Sequence, residues 1–185
     1  RHRDHFHVRY FNPRAQELGR ALRQKHADDE SIIAEMLGMF RRNFVYTLEP
    51  PLLGENPVDE FLFSTRSGFC EHYASAFAVV MRAAGIPTRI VTGYQGGEVN
   101  ALGNYLIVRQ ADAHAWTEVW LENRGWVRVD PTAAVAPERV QVSRALRAPS
   151  GAFANAITNL SPGLVATMRE TWERINNRWN QWVLN

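Results

Sequence analysis

The hydrophobic periodicity of this 185-residue chain changes at its centre, and this change most constrains the fold. From Glu71 to Ala84, apolar residues recur at three- and four-residue spacing, as in an amphipathic helix that Gly85 and Pro87 then end. Three or four strand-like runs follow, separated by turns: residues 88–94, 105–109, 115–121 and 126–130. The short gap at 123–125 favours a hairpin, which implies antiparallel pairing. Helices followed by an antiparallel sheet predict an α+β domain.

The segments before this centre are mainly helical in pattern. The elements expected there are a helix at 13–26, a helix capped by Asp28 or Asp29, a strand at 44–47, a proline-rich loop at 49–57 and a short helix from Val58 to Phe63 capped by Asn56 or Asp59. Asn12 precedes Pro13 and is therefore the expected N-cap of the first helix.

The segments after the centre predict a linker and one more helix. Residues 140–162 are small and polar, whereas residues 164–183 carry a stripe of large apolar residues at helical spacing. Three tryptophans of this stripe could lie at a membrane interface, but such a stripe more often packs on the domain core. We therefore expect one domain with N-terminal helices at 1–139, and at 140–185 a linker and an amphipathic helix packed on that domain.

Composition excludes several classes of function. The net charge is only +2, and the chain has no block of basic residues interleaved with aromatics, so nucleic acid is not an expected partner. The longest apolar run, Ala76 to Met81, is too short for a transmembrane helix. A single cysteine excludes an internal disulfide and a cysteine-rich zinc site. Alternating histidines at the N-terminus are not typical of a closed metal site, and we predict no metal and no cofactor.

The single cysteine, Cys70, lies where the central helix should begin. Unpaired N–H groups and the positive end of the helix dipole favour a thiolate there, and the same amides could hold an oxyanion. A lone cysteine can also be a small buried hydrophobe, but Cys70 lies between Gly68 and the polar pair Glu71-His72. Gly68 would let a substrate backbone approach closely. Cys70 is therefore a candidate nucleophile, with its own backbone amide as an oxyanion donor.

A nucleophilic cysteine requires a base, and two histidines are candidates. His72 is two residues along the helix, about 200° around its axis, and should point away from Cys70. His114 begins a strand-like run, and Asp130 closes the next one before Pro131. If these runs form a hairpin, His114 and Asp130 are cross-strand neighbours, so that the carboxylate can orient the imidazole.

Several motifs together resemble the transglutaminase-like family. They are Asn56–Leu62, Gly68–Phe77, Arg82–Arg89, Val91–Tyr94, His114–Trp120 and Trp126–Thr132, and the resemblance spans about residues 40 to 133. It implies a papain-like α+β fold, in which a nucleophile helix packs on an antiparallel sheet. It also implies that Cys70, His114 and Asp130 form the catalytic triad. Papain-like enzymes add a side-chain oxyanion donor, for which Tyr46 and Trp116 are candidates, although both are more readily explained as core aromatics.

The resemblance implies acyl transfer through a cysteine thioester, from a glutamine carboxamide of a protein or peptide substrate to an amine acceptor. Hydrolysis by a cell-envelope cysteine peptidase or amidase uses the same triad, and these residues do not choose between the two. A non-catalytic binding module is a third alternative, against which retention of the triad argues. No acidic loop with calcium-ligand spacing occurs in the sequence, so calcium dependence is not expected.

The family members that the chain resembles are bacterial, membrane-anchored proteins that hold this domain in the periplasm. The resemblance therefore implies a periplasmic or extracytoplasmic domain of an inner-membrane protein, anchored by segments outside this sequence. The chain opens Arg-His-Arg-Asp-His without an initiator methionine, and we expect the native molecule to be longer. A single cysteine does not settle the compartment.

Overall fold

The computed structural model describes residues 11–100 and 105–141, with the side chains of 98–100 and 141 excepted. These residues fall into two compact units. The first consists of residues 11–93 and 114–141, and the second of the described part of 94–113. The linker and amphipathic helix predicted beyond residue 141 lie outside the described residues. The division at residue 139 therefore stays a prediction.

The first unit contains four helices that the sequence predicts: α1 (Pro13–Lys25), α2 (Asp29–Asn43), α3 (Pro57–Glu60) and α4 (Cys70–Ala83). A fifth helix, α5 (Glu138–Gln141), was not predicted and includes the first two residues of the expected linker. Asp28 caps α2 as predicted, because its side chain accepts a hydrogen bond from the N–H of Ser31 at 2.7 Å. A π-helical turn, Phe61–Thr65, follows α3 directly. Within the described residues, no helix has the length and apolarity needed to cross a membrane.

The strands of the first unit form two small sheets. β1 (Val45–Tyr46) pairs in parallel with β2 (Ser67–Gly68), a two-residue strand too short to predict from its sequence. The larger sheet has the order β3 (Thr88–Tyr94), β6 (Ala113–Leu121) and β7 (Gly125–Val129). β6 and β7 form the predicted antiparallel hairpin, in which Asn123 and Gly125 adopt positive φ angles. The prediction of an α+β fold with an antiparallel sheet is confirmed.

The second unit is an excursion between β3 and β6. It contains β4 (Glu98–Asn100) and β5 (Tyr105–Ile107), which pair antiparallel, and a 3₁₀ turn at Gln110–Asp112. A hydrogen bond of 2.8 Å from the N–H of Gln95 to the carbonyl of Asp112 joins the two ends of the excursion. The sequence predicted β5 but not β4.

Asn12 and Asn56 occupy the predicted N-cap positions of α1 and α3, but the side-chain capping bonds run between the two helices. Asn12 has a left-handed conformation (φ 58°) and makes no side-chain bond to its own helix. Its Oδ1 instead accepts hydrogen bonds from the N–H groups of Val58 (2.9 Å) and Asp59 (3.3 Å). In return, the carboxylate of Asp59 accepts from the N–H groups of Arg14 (3.0 Å) and Ala15 (2.7 Å) at the start of α1. Neither Asn56 nor Asp59 caps the helix that contains it.

The core of the first unit surrounds α4. This helix buries Tyr73, Phe77 and Met81 completely, at the spacing that the sequence predicts for its apolar face. The ring of Tyr73 meets Phe40 of α2 and Phe61 edge to face, at 5.2 and 5.0 Å between ring centroids. Because its inner face is fixed by this packing, α4 holds its first residue, Cys70, at a defined place.

Candidate active site

Cys70 is the first residue of α4, as predicted, and its side chain is half-buried. The preceding residue, Phe69, is extended, so that the chain turns from β2 into the helix over one residue. The thiol interacts with the imidazole of His114 and with the backbone N–H groups of Glu71 and Ala115, and all three act to lower its pKa. The structure thus brings together the cysteine and the histidine that the sequence singled out.

His114 and Asp130 also meet, through the β6–β7 hairpin. Thr117 pairs with Val129, so the register continued by one step places Asp130 opposite Trp116, with His114 diagonally across from the carboxylate. Nε2 of His114 lies 2.7 Å from Oδ2 of Asp130, and the two side chains are only 7% and 8% exposed. The pair is therefore diagonal rather than directly opposite. With Nε2 engaged by the carboxylate, Nδ1 is the ring nitrogen left for the thiol.

The electrostatics of Cys70 and His114 favour transfer of the proton from sulfur to nitrogen. Burial raises the pKa of the Cys70 thiol, but the hydrogen bonds from His114 and from the amides of Ala115 and Glu71 outweigh it and lower that pKa below its usual value. Burial alone would lower the pKa of His114, whereas its hydrogen bonds to Asp130 and Cys70 raise it to about 9. A thiolate facing an imidazolium is the form that these opposite shifts stabilise.

Asp130 is held by two further groups. Its Oδ1 accepts a hydrogen bond from the N–H of Thr132 at 3.2 Å, in the 3₁₀ turn that follows the strand. Nη2 of Arg128 lies 3.3 Å from Oδ2, the oxygen that also faces His114. The Asp130 carboxylate is therefore oriented through both of its oxygens, by the N–H of Thr132 at Oδ1 and by Arg128 at Oδ2.

The two predicted side-chain oxyanion donors have different surroundings. Trp116 stacks on His114, with ring centroids 6.1 Å apart and planes 19° apart, and it carries the guanidinium of Arg128 4.3 Å above its ring. Tyr46 packs against the core, and Arg139 lies 5.2 Å from the centre of its ring. Trp116 is thus beside the reacting groups, and the role of either residue as a donor stays a prediction.

His72 faces away from Cys70, as its helical position predicts. Its Nδ1 accepts a hydrogen bond from the N–H of Phe69 at 3.4 Å, and the ring lines an open groove of about 200 Å³ together with Phe61. The ring folds over Gly68, where an added Cβ would lie 2.7 Å from Cγ of His72. The glycine before the nucleophile therefore makes room for His72, a reason that differs from the substrate approach inferred from the sequence.

Three parts of this site were not predicted from the sequence: Arg128, the backbone N–H of Ala115, and Gly93. Gly93 lies on the neighbouring strand β3, and an added Cβ there would meet the ring of Trp116 at 3.2 Å. The alternation of β6 and β7 puts Trp116, Arg128 and His114 on one face of the sheet, which is the signal that would have found Arg128. The position of Ala115 depends on how α4 meets the sheet, which no local pattern encodes.

Comparison with known proteins agrees with this geometry. The family model described as "Transglutaminase-like superfamily" matches residues 16–131. The chain is 52% identical over 182 residues to a protein-glutamine gamma-glutamyltransferase of Pseudomonas aeruginosa, covering 94% of this chain and 27% of that protein. It is 43% identical over 86 residues to protein YebA of Bacillus subtilis, covering 44% of this chain and 12% of the relative. The chain therefore spans about a quarter or less of the length of these relatives.

Solved structures give the same result. The crystal structure of the periplasmic domain of TgpA from Pseudomonas aeruginosa matches with a TM-score of 0.70 and 56% identity, over 73% of this chain and 47% of that one. A second structure of that domain, bound to ethylmercury, matches equally, with a TM-score of 0.70. The family match, the level of identity and the shared fold lead to one conclusion: the chain belongs to the transglutaminase-like superfamily.

Proposed function

We propose that this chain catalyses cysteine-dependent acyl transfer from a carboxamide of a protein or peptide to a primary amine, with Cys70, His114 and Asp130 as its triad. The observation that carries the proposal is the continuous chain of contacts from thiol to imidazole to carboxylate, with the imidazole and carboxylate side chains more than 90% buried. The name of the Pseudomonas aeruginosa relative, a protein-glutamine gamma-glutamyltransferase, supports glutamine as the acyl donor.

The first half-reaction forms a thioester. The thiolate of Cys70 attacks the carboxamide carbon, and the electron pair of the carbonyl moves onto its oxygen. The N–H groups of Glu71 and Ala115 lower the pKa of the thiol by donating toward the sulfur, which places two donors beside the carbon under attack. When the oxyanion collapses, the C–N bond breaks, and the His114 imidazolium gives its proton to the departing amide nitrogen, which leaves as ammonia.

The second half-reaction consumes the thioester. A primary amine attacks the thioester carbon while neutral His114 accepts a proton from the attacking nitrogen. Collapse of the second tetrahedral intermediate breaks the C–S bond, forms an isopeptide bond and returns the thiolate facing an imidazolium. Asp130 keeps the imidazole oriented through both halves, because its carboxylate holds Nε2 while Nδ1 exchanges the proton.

The domain works outside the cytoplasm in this proposal, because the solved structure that it matches at 56% identity is a periplasmic domain. A parent protein anchored in the inner membrane is part of the same proposal. The substrates are then envelope proteins or peptides that present a glutamine, and amines such as lysine side chains.

The test uses the full chain with a fluorescent primary amine and a glutamine-bearing protein whose lysines are methylated. We expect amine incorporation and ammonia release in equal amounts, and loss of both in Cys70→Ala, with His72→Ala as the matched control that retains activity. Ammonia without incorporated amine would show that water is the acceptor, and peptide cleavage would show a protease; either outcome contradicts the proposed transfer. Ordinary, slow alkylation of Cys70 by iodoacetamide at neutral pH would contradict the triad itself.

A further inference from the structure

Arg128 makes two contacts that close a ring around the imidazole. Its Nη2 lies 3.3 Å from Oδ2 of Asp130, and its guanidinium carbon lies 4.3 Å from the centre of the Trp116 ring. Trp116 in turn stacks on His114, and His114 bonds the same Oδ2 at 2.7 Å. Each of the four side chains therefore contacts two of the others.

The four residues lie on one face of the β6–β7 hairpin. In the observed register, Glu118 pairs with Arg128, so alternate residues of the two strands project together from this face. Gly93 of β3 leaves the space that the Trp116 ring occupies. The tryptophan is thus confined by a strand on one side and by the guanidinium on the other.

The charges around His114 give Arg128 a second effect. The groups whose interactions raise the pKa of His114 are the Asp130 carboxylate after β7 and the Cys70 sulfur from α4, and Arg128 contacts that carboxylate. The next acidic residue on this face, Glu118, is paired with Arg89 at 2.6 Å. Arg128 and the imidazolium therefore share one carboxylate oxygen, and each limits the attraction that the other receives from it.

We propose that Arg128 is a positioning residue of the acyl-transfer site, which holds Asp130 and Trp116 in place and keeps the His114 imidazolium acidic enough to protonate the leaving nitrogen. This inference rests on the proposed function. The role of Arg128 can nevertheless be tested independently of that function, because it concerns how readily His114 loses its proton. That property can be measured without any acyl transfer.

Arg89 provides a matched control on the same face. Its guanidinium carbon lies 4.2 Å from the centre of the Trp126 ring, and it pairs with the carboxylate of Glu118, so its contacts repeat those of Arg128. Neither Trp126 nor Glu118 contacts His114 in the described interactions. Arg89→Met therefore removes an equivalent guanidinium but leaves the cation beside Asp130 in place.

The experiment compares Arg128→Met, Arg128→Lys and Arg89→Met in the full chain. We follow the ring protons of His114 by NMR and the pH profile of amine incorporation. For Arg128→Met we expect the titration of His114 and the high-pH limb of activity to move up by about half a pH unit, since a half-exposed cation has been removed near the imidazolium. We also expect kcat to fall about tenfold with little change in KM. In Arg128→Lys we expect His114 to titrate as in the unsubstituted chain, because a positive charge is retained. We expect only part of kcat to be recovered, because an ammonium cannot stack on Trp116 as the planar guanidinium does.

Two outcomes would overturn the inference. One is an unchanged His114 titration in Arg128→Met, and the other is an equal loss of activity in Arg89→Met. If Arg128→Met does not fold, the test moves to Arg128→Ala with added methylguanidinium, where recovery of activity supports the role and no recovery contradicts it. If the chain proves inactive as a transferase, the NMR titration still decides the question, so failure of the proposed function and failure of this inference are distinguishable.

Discussion

His114 is the residue whose surroundings most define the chemistry of the site. Its side chain is only 7% exposed, which disfavours the charged imidazolium. The hydrogen bond to Asp130 reverses this effect and raises the pKa of His114 to about 9, and the contact with Cys70 adds to it. The charged state of the imidazole at neutral pH therefore depends first on the Asp130 carboxylate and second on the Cys70 sulfur.

The pH profile of the proposed acyl transfer follows from the pKa shifts of Cys70 and His114. The thiolate–imidazolium pair forms when the thiol loses its proton, which occurs at a pH below the usual thiol pKa of ~8.5. The pair is lost when His114 deprotonates near pH 9. Activity should therefore rise at a lower pH than an ordinary thiol would give, and fall around pH 9. Measurement of kcat/KM between pH 5 and 11 checks both limbs, and a profile that keeps rising through pH 10 would contradict the assigned imidazolium.

The substitution Asp130→Asn tests whether the carboxylate is the source of the raised pKa of His114. Without the carboxylate, burial dominates, and the pKa of His114 should fall toward or below the usual ~6.5. We expect kcat to drop at least about a hundredfold, with the high-pH limb moved down by more than one unit. NMR titration of His114 gives the shift independently of turnover. Thr132→Ala is the control, since it keeps the backbone N–H that Asp130 accepts.

At the scale of elements, two helix starts depend on side chains from far along the chain. Asp59 is buried and satisfies two N–H groups of α1, whereas Asn12 satisfies two of α3. Helix starts carry unpaired N–H groups that require such acceptors. The exchange of caps ties α1 to α3 across more than forty residues of sequence.

The substitution Asp59→Ala should destabilise the protein more than removal of an ordinary cap. Loss of the two buried bonds should lower the free energy of unfolding by about 2–3 kcal/mol. Asp28→Ala removes a single exposed cap on α2 and should cost less than Asp59→Ala. Urea unfolding of both variants measures the difference. Equal costs would show that the contacts across α1 and α3 add nothing beyond capping.

Replacement of two helical glycines by alanine should change the stability of the protein in opposite directions. An added Cβ at Gly19 of α1 would lie 2.4 Å from the carbonyl oxygen of Val80, so α1 and α4 would have to move apart. At Gly38 of α2 the nearest atom is the end of the flexible Arg42 side chain, at 3.0 Å. Gly38→Ala should therefore gain up to about 1 kcal/mol of helix stability, whereas Gly19→Ala should lose about 1–3 kcal/mol. Thermal unfolding of the pair is the measurement.

The elements show what the sequence could and could not predict. The helix of Cys70 and the hairpin of His114 and Asp130 were predicted, because periodicity and a short turn are local signals. The meeting of Cys70 with His114 was not visible in any local pattern, and the family resemblance supplied it. The N-cap positions of α1 and α3 were predicted, but the partners of their side chains were not, because contacts over 44 residues leave no local signal. Strand alternation does place Arg128 on the face of His114, but its contacts with Asp130 and Trp116 depend on the side-chain conformation, which the sequence does not specify.

At the scale of the whole first unit, four aromatic rings join the elements of the core. Phe40, Phe44, Phe61 and Tyr73 form a connected cluster, with the closest ring centroids 5.0 Å apart. Tyr73 is fully buried, and its hydroxyl makes no hydrogen bond to any described residue. Burial raises the pKa of Tyr73 far above its usual range. The hydroxyl is thus a polar group within an otherwise apolar cluster.

The substitution Tyr73→Phe should leave the fold intact and the stability equal or higher by up to about 1 kcal/mol, because it removes a polar atom without a partner in the described residues. The reverse change in the same cluster, Phe40→Tyr, should cost about 1–3 kcal/mol. Urea unfolding compares the two, and amine incorporation should be unchanged in Tyr73→Phe. A large loss of stability in Tyr73→Phe would show that the hydroxyl is bonded.

The hairpin has a consequence for the order in which the site assembles. His114 and Asp130 are sixteen residues apart and meet when one local turn closes, whereas Cys70 joins them only after α4 has docked. We therefore expect the reactivity of the thiol to depend on this tertiary contact, so that the rate of Cys70 alkylation during refolding reports the docking of α4 on the sheet.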